Sequence, residues 1–387
     1  MSAPGSSPLP SSADPSISYL RRALRLAARG RYRTSPNPRV GAVLVQDGGM
    51  GAVVGSGWHR QVGGAHAEVE ALREAGERAR GATLYVTLEP CSHHGRTPPC
   101  ADAVIAAGVA RVVACHGDPN PRVSGRGFAR LREAGIAVES GFLVEEAVRL
   151  NLPFLIANVL GRPEVTLKWA MSLDGRIATA TGESQWISST KGRRWALALR
   201  EEHDAILVGS GTLLADDPRL DRRLGLATGP NVRVVLDRRL RTPPEARLFT
   251  VLGPVLIYTQ SSDRERIEAL KARGAEVVVL SAVEPGAVLR DLFGRGVQSL
   301  LVEGGAEALA SFVASGCYDR VMVDCAPLLI GGKNAPGPLA GEGFAELAMA
   351  ARLEGLEMGR QGGDVILTAY RNGILAELAR AVQGEAC

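Results

Sequence analysis

Aromatic residues are scarce in this 387-residue chain: Phe, Tyr and Trp together make up 4%. With few rings for base stacking, no basic runs and a formal net charge of only +4, the chain does not read as a nucleic-acid binder or editing enzyme. No apolar run approaches the roughly 18 residues that a membrane-spanning helix requires, so no membrane partner is expected. Six cysteines are too few for a disulfide scaffold of this length, and their spacing points one pair toward a metal. Cys115, Cys317, Cys325 and Cys387 read as buried or incidental thiols. The Ser/Pro-rich opening, residues 1–16, has neither the apolar core of a signal peptide nor the arginines of a transit peptide. It reads as a disordered tail, and a cytoplasmic location is the default. What remains is 45% hydrophobic and 22% charged, an ordinary globular composition with length for two or three domains.

The first half alternates strand and helix signals. Residues 16–29 carry Leu20, Ala23, Leu24, Leu26 and Ala27 at helical spacing. Thr34-Ser-Pro-Asn-Pro38 must be a loop. Strands follow at 40–46 and 52–57 around the turn Asp47-Gly48-Gly49, then a helix at 65–77 and a strand at 83–88. Pro98-Pro99 opens a helix at 100–107, and strands at 109–115 and 136–139 flank a helix at 127–134. This rhythm predicts a three-layer α/β/α domain. Residues 143–160 read as one apolar-striped helix that closes it, and Gly161-Arg162-Pro163 marks a boundary. The predicted domains are 17–161 and 162–387.

The chemistry of the first domain is concentrated in Thr87–Asp102 and the upstream His66-Ala67-Glu68. Together they offer two thiolates, an imidazole and a free carboxylate, the parts of a zinc deaminase site. His66 and Glu68 fall in the first turn of one helix, Cys100 in the first turn of another, and Cys91 in the loop after a strand. Helix N-termini favour thiolate and other negative charge there. A closed structural zinc site is the alternative, with His93, Cys115 or His116 as fourth ligand. Glu68 speaks against it, because a closed site has no use for a carboxylate poised beside the metal.

The segments Ser35-Pro-Asn-Pro-Arg-Val-Gly-Ala42, His66-Ala-Glu68 and Glu89-Pro-Cys-Ser-His-His-Gly-Arg-Thr-Pro-Pro-Cys100 resemble the deaminase half of the bifunctional riboflavin-biosynthesis deaminase-reductases. The eight residues between Cys91 and Cys100 separate that family from the cytidine, tRNA and editing deaminases. The resemblance implies a cytidine-deaminase-like fold and one zinc ion on His66, Cys91 and Cys100, with Glu68 as proton shuttle. It also implies substrate contacts from Asn37, His93 and Arg96, the last near a phosphate.

The second half resumes the β/α rhythm, with strands expected at 165–170, 205–208, 232–236, 255–258, 276–280, 299–302, 320–324 and 365–369. Helices are expected at 190–201, 263–273, 285–294 and 306–315. Its glycines leave alternatives open. Gly209-Ser-Gly-Thr212 follows a strand but has Leu214 at the third position of the dinucleotide fingerprint. Glu303-Gly-Gly-Ala306 opens a helix suited to a diphosphate, or is a plain tight turn. Asp237-Arg238-Arg239 could meet the phosphate that distinguishes NADP, or be a solvated turn.

Leu167-Lys168, Ser172-Leu-Asp-Gly-Arg176, Gly182-Glu-Ser-Gln-Trp-Ile187, Leu214-Ala-Asp-Asp-Pro218 and Val302-Glu-Gly-Gly305 are similar to the reductase half of the same family. That likeness implies a dihydrofolate-reductase-like fold that uses NADPH. By position, Ala170, Trp186, Thr212, Asp216, Arg238 and the loop Gly305, Ala306, Glu307, Ala308, Leu309, Ala310 would contact the cofactor. Ser184, Arg200, Leu220, Arg223 and Glu303 would contact substrate, and Lys168 is assigned to the reacting centre. Many relatives have serine where Arg238 stands. The implied activity has two steps: hydrolytic deamination of a phosphorylated diaminopyrimidinone ribosylamine, then reduction of its ribosyl to a ribityl chain. A deaminase whose second domain only binds a nucleotide is the rival reading. A homo-oligomer is compatible with either.

Overall fold

A computed structural model describes residues 15–46, 51–93, 98–120 and 124–384. The chain divides into two compact units, Leu160–Ile374 and the remainder. Among the described residues, no helix is long and apolar enough to cross a membrane.

The first unit runs α1 (Pro15–Ala27), β1 (Gly41–Gln46), β2 (Ala52–Trp58), α2 (Ala67–Ala75) and β3 (Thr83–Val86). It continues through α3 (Cys100–Ala106), β4 (Arg111–Ala114), α4 (Arg126–Glu133), β5 (Ala137–Ser140), α5 (Val144–Leu150) and α6 (Leu152–Val159). The sheet order is β2-β1-β3-β4-β5; β1 is antiparallel to β2 and β3, and β3, β4 and β5 are parallel. Strand alternation builds two apolar layers. Ala42, Leu44, Leu84, Val86, Val112 and Ala114 pack with Ala67, Ala71, Val104 and Leu131 on one face. Val43, Val45, Tyr85, Val113 and Cys115 pack with Leu20, Ala23 and Ala147 on the other. Both faces of the central strands are therefore buried, which is why they read as continuous apolar runs.

Glycine sets how closely α2 lies on this sheet. A Cβ at Gly57 would run into the Ala67 carbonyl, and one at Gly55 into that of Ala71. The helix can therefore settle directly on β2, and its first turn is held against the sheet. That turn carries Glu68, with His66 as the preceding cap.

The second unit contains β6 (Glu164–Ser172), α7 (Thr190–Glu202), β7 (Ala205–Gly209), α8 (Ser210–Asp216), β8 (Val232–Leu236), β9 (Val255–Thr259) and α9 (Arg264–Ala272). Then come β10 (Ala275–Val279), α10 (Pro285–Gly294), β11 (Ser299–Val302), α11 (Ala306–Ala314), β12 (Arg320–Ala326), β13 (Leu353–Gln361) and β14 (Asp364–Arg371). The nine-stranded order is β10-β9-β8-β7-β11-β6-β12-β14-β13, parallel from β10 to β12 and antiparallel for the last two pairings. Leu167 belongs to the core layer with Leu289, Leu309 and Phe312, and Trp169 packs against that layer. The intervening Lys168 therefore faces the opposite side, with its register partner Met322 packing against Leu199 and Trp195 of α7.

Several expectations need correction. Helix α1 begins at Pro15, so the last two residues of the expected tail are helical, and Ser16 is buried. The turn at Asp47–Gly49 lies outside the described residues. The helix expected over 143–160 is two helices broken at Asn151. Its side-chain amide pairs with the Arg39 backbone in both directions, at 2.8 and 2.9 Å, and Pro153 has no N–H to continue the ladder. Strand β13 and helix α8 were not anticipated. Nor was α12 (Ile374–Gln383), and the chain from Leu375 onward belongs to the first unit rather than to a domain spanning 162–387. Within that stretch Leu378 and Val382 are buried at a spacing of four, an apolar stripe.

Buried His203 lies in the second unit, its Nδ1–H donating to the Leu199 carbonyl at 2.7 Å, and burial pulls its pKa down to about 4. The unfolded imidazole titrates near 6.5. A depressed pKa means that the unfolded state takes up the proton first, so stability is full above about 6.5 and declines as pH falls toward 4. We expect the loss of unfolding free energy between pH 7 and pH 5 to be smaller in His203→Gln than in wild type by about 2 kcal/mol. Urea unfolding at the two pH values measures this difference, and equal losses would contradict it.

Two candidate active sites

In the first unit His66 caps α2 in an extended conformation, leaving its ring free of the helix. Cys91 follows β3, and Cys100 is the first residue of α3. His66 Nδ1 lies 3.1 Å from Cys100 Sγ and 3.6 Å from Cys91 Sγ, and the Cys100 N–H donates to Cys91 Sγ at 3.3 Å. All three ligand atoms lie within 4.8 Å of one another. Zinc–sulfur and zinc–nitrogen bonds at tetrahedral angles require N···S separations of about 3.5 Å, so the donor set fits that ion. The Cys91 thiol is pulled well below the ordinary thiol range, first by hydrogen bonding from Cys100 and further by His66, against burial. The same bond and burial push Cys100 up.

Glu68 is buried, and among the described residues its Oε2 has no hydrogen-bond partner. Burial, then the Cys91 charge, push its carboxyl up to about 7, with His66 opposing. A carboxyl so placed exchanges protons near neutral pH. None of the alternative ligands, His93, Cys115 or His116, belongs to the cluster among the described residues: His93 lines the cavity beside it, Cys115 packs beneath α1 and α5, and His116 Nδ1 pairs with the Gly117 carbonyl at 2.7 Å.

A cavity of about 400 Å³ opens onto this cluster, lined by Asn37, His66, Glu68, Cys91 and His93 from the expected set. Arg96 lies outside the described residues. His59, Asp118, Asn120 and Phe154 also line the cavity and were missed, since each is a single residue with no spacing motif. His59 has a definite job. Its Nδ1 pairs with the Ala65 carbonyl at 3.1 Å and its Nε2 with the Asn37 amide at 3.2 Å, so it orients Asn37. Burial lowers the His59 pKa, consistent with a neutral ring that donates at one nitrogen and accepts at the other. Burial pushes Asp118 up to about 7, opposed by the Asn120 N–H.

Glu89 holds the far wall. Its buried carboxylate accepts from four backbone N–H groups: Asp118 and Gly125 on Oε2 at 3.0 and 2.9 Å, Gly127 and Phe128 on Oε1 at 2.8 and 3.2 Å. In Glu89→Gln an amide NH₂ must face two of these donors, at a cost on the order of 2 kcal/mol. We expect faster amide exchange at that pair and a higher KM for the ligand of this cavity. Unchanged exchange at all four amides would contradict the assignment.

In the second unit Glu303 follows β11 and its side chain is 6% exposed. Arg200, on α7, contacts Glu303 Oε2 through Nε at 2.7 Å and through a terminal nitrogen at 2.6 Å; Lys168 Nζ stands 3.8 Å from Oε1. Burial alone would raise this carboxyl. Arg200 and then Lys168 outweigh it and hold the pKa below the ordinary range. Thr212 lies against the Gly304-Gly305 turn, where a Cβ at Gly305 would sit 3.0 Å from its Oγ1. Gly305 has φ of 81° and precedes α11, so residues 306–310 form the first turn of that helix rather than a loop.

Arg238, Glu307 and Ala310 line one cavity of about 610 Å³. Ala170 sits on β6, Asp216 is exposed at the end of α8, and Ser184 and Trp186 lie on an exposed stretch before α7. Trp186 stacks with the Arg193 guanidinium at 4.8 Å. Arg223 lies 3.7 Å from Asp221. The Leu220 side chain is buried against Ile206 and Val208, which leaves any ligand contact to its backbone.

Fold and sites define a bifunctional enzyme, a zinc-type deaminase unit joined to a reductase unit. Residues 15–116 match the cytidine and deoxycytidylate deaminase zinc-binding region, and residues 163–367 match the RibD C-terminal domain. The riboflavin biosynthesis protein RibD of Bacillus amyloliquefaciens is 45% identical over 91% of this chain and 95% of its own length. The solved Acinetobacter baumannii RibD superposes with a TM-score of 0.81 at 37% identity, covering 92% of this chain and 99% of that one. A Thermotoga maritima diaminohydroxyphosphoribosylaminopyrimidine deaminase/5-amino-6-(5-phosphoribosylamino)uracil reductase gives 0.79 at 34% identity, covering 92% and 98%. The chain belongs to the RibD family, the bifunctional deaminase/reductases of riboflavin biosynthesis. Its units have the expected cytidine-deaminase-like and dihydrofolate-reductase-like folds.

Proposed function

We propose that His66, Cys91 and Cys100 hold one zinc ion, that Glu68 is the proton shuttle of the deaminase, and that the second unit draws its hydride from NADPH. The observation that carries the first assignment is the convergence of three ligand atoms beside a buried carboxyl with an unpartnered oxygen. When bound, zinc acidifies a water to a pKa of about 7. Glu68 takes a proton from the attacking water and returns it to the pyrimidine ring nitrogen and then to the departing amine, so that water enters and ammonia leaves. Asn37, held by His59, donates to the ring, and His93 lines the same cavity. Arg96 is assigned to the substrate phosphate.

In the second unit, bound NADPH supplies the hydride for C1′ of the ribosyl group. Lys168 delivers a proton to the ring oxygen as the C1′–O bond opens, giving the ribityl chain. Glu303 anchors Lys168 and substrate, and Arg200 with Arg223 meets the phosphate. The adjacency of Lys168, Glu303 and Arg200 favours this over a domain that only binds a nucleotide. Ala170, Trp186, Thr212, Asp216 and the turn from Gly305 to Ala310 are assigned to the cofactor, with Arg238 at its phosphate end.

Incubation of the full chain with the diaminopyrimidinone ribosylamine 5′-phosphate, zinc and NADPH tests both halves. Ammonia should appear, followed by NADPH oxidation with one equivalent each. Glu68→Gln should keep one zinc per chain and lose ammonia release by 10²- to 10⁴-fold, the range for a removed acid–base group. Lost zinc, or retained deamination, would sink the shuttle role. Lys168→Ala should leave ammonia release intact and lower NADPH oxidation at least about 100-fold; normal reduction by that variant would remove Lys168 from the mechanism.

A further inference from the structure

The residues that complete the deaminase unit come from the far end of the chain. Helix α12 follows the last strand of the reductase sheet, yet the chain from Leu375 belongs to the first unit. Ile374 and Leu378 are fully buried, and Leu375 and Val382 are 5% exposed, an apolar stripe far too regular for a solvated tail. At its end the Val382 carbonyl accepts a hydrogen bond from the Gly117 N–H at 3.2 Å. There is little room at this contact: a Cβ at Gly117 would sit 3.1 Å from the Val382 oxygen, 3.5 Å from Glu89 Oε2 and 4.0 Å from the Phe128 ring.

Gly117 is the residue before Asp118, whose own N–H is held by Glu89 and which lines the zinc-type cavity with Asn120. The backbone of this wall is thus fixed at successive residues from two sides, by the Glu89 carboxylate and by the Val382 carbonyl. We propose that α12 is a positioning element of the deaminase site: by holding Gly117 it sets Asp118 in the cavity wall, so deamination depends on residues that follow the reductase in the chain. The inference rests on the deaminase reading of that cavity. It does not involve the metal ligands, which reach the cluster from α2, α3 and the loop after β3. One consequence is that the deaminase wall is finished only when the chain has been made through α12.

The test uses the full-length enzyme loaded with zinc. Gly117→Ala makes the smallest change, forcing a methyl against the Val382 carbonyl. Val382→Asp and Leu378→Asp undock the helix by placing a charge in its buried stripe. In each variant we expect the Gly117 amide to exchange faster and the deaminase KM to rise about tenfold. The deaminase kcat should stay within about threefold, zinc at one per chain, and reduction of the already deaminated substrate at the wild-type rate. Rescue by Val382→Ile, which keeps the stripe apolar, completes the set. Wild-type KM in a variant whose Gly117 amide exchanges freely would overturn the proposal. So would zinc loss in step with activity, because the helix would then support the unit as a whole rather than this wall. Ammonia release by the wild type tests the deaminase reading separately.

Discussion

Four backbone N–H groups turned toward one buried carboxylate hold the deaminase unit in a working shape. Glu89 accepts from Asp118, Gly125, Gly127 and Phe128, and its own N–H donates to the His116 carbonyl. Four donors replace the water that this buried side chain has lost. The arrangement ties the chain that delivers Cys91, two residues on, to the loop that supplies Asp118 and Asn120. The cavity therefore has two walls linked by one side chain.

Glu68 and Glu303 are buried to a similar degree, and their partners give them opposite properties. Glu303 has an arginine at 2.6 Å and a lysine at 3.8 Å, and it stays below the usual carboxyl range. Glu68 has one oxygen with no partner and rises to about 7. An anchor for cationic groups must not take up a proton, whereas the shuttle proposed for Glu68 must do so readily near pH 7. The contrast lies in the neighbours, since residue type and burial are alike.

Most of this was legible in the sequence wherever a feature depended on neighbours a few residues apart. The parallel strands are continuous apolar runs, and the zinc-type ligands sit at helix and loop starts that Pro, Gly and strand patterns mark. The missed features depend on partners far away in the chain. His59, Asp118, Asn120 and Phe154 become a lining only when three separate segments converge. Strand β13 is an edge strand with little burial on either face, glycines at 355 and 359, and a register shift between Glu354 and Glu357. It has no alternation to read. Two further signals stand in the sequence itself: Asn151 and Pro153 inside the span 143–160, and the stripe of Ile374, Leu378 and Val382.

The two units share a cause for where their chemistry collects. In the first, β3 and β4 are parallel, and the chain leaving their C-terminal ends supplies Glu89 and Cys91 from one, Gly117 and Asp118 from the other. In the second, β7, β8 and β11 lead into Thr212, Arg238 and Glu303 in the same way. Parallel strands bring all their C-terminal ends to one edge, and helices that begin there turn their free N–H groups toward it. Negative groups gather at such an edge for electrostatic reasons: thiolates and carboxylates in the deaminase, a carboxylate and the expected cofactor phosphates in the reductase. Strand β14 runs against this direction, so its C-terminal end lies at the opposite edge, where the chain passes into α12, whose residues from Leu375 belong to the first unit.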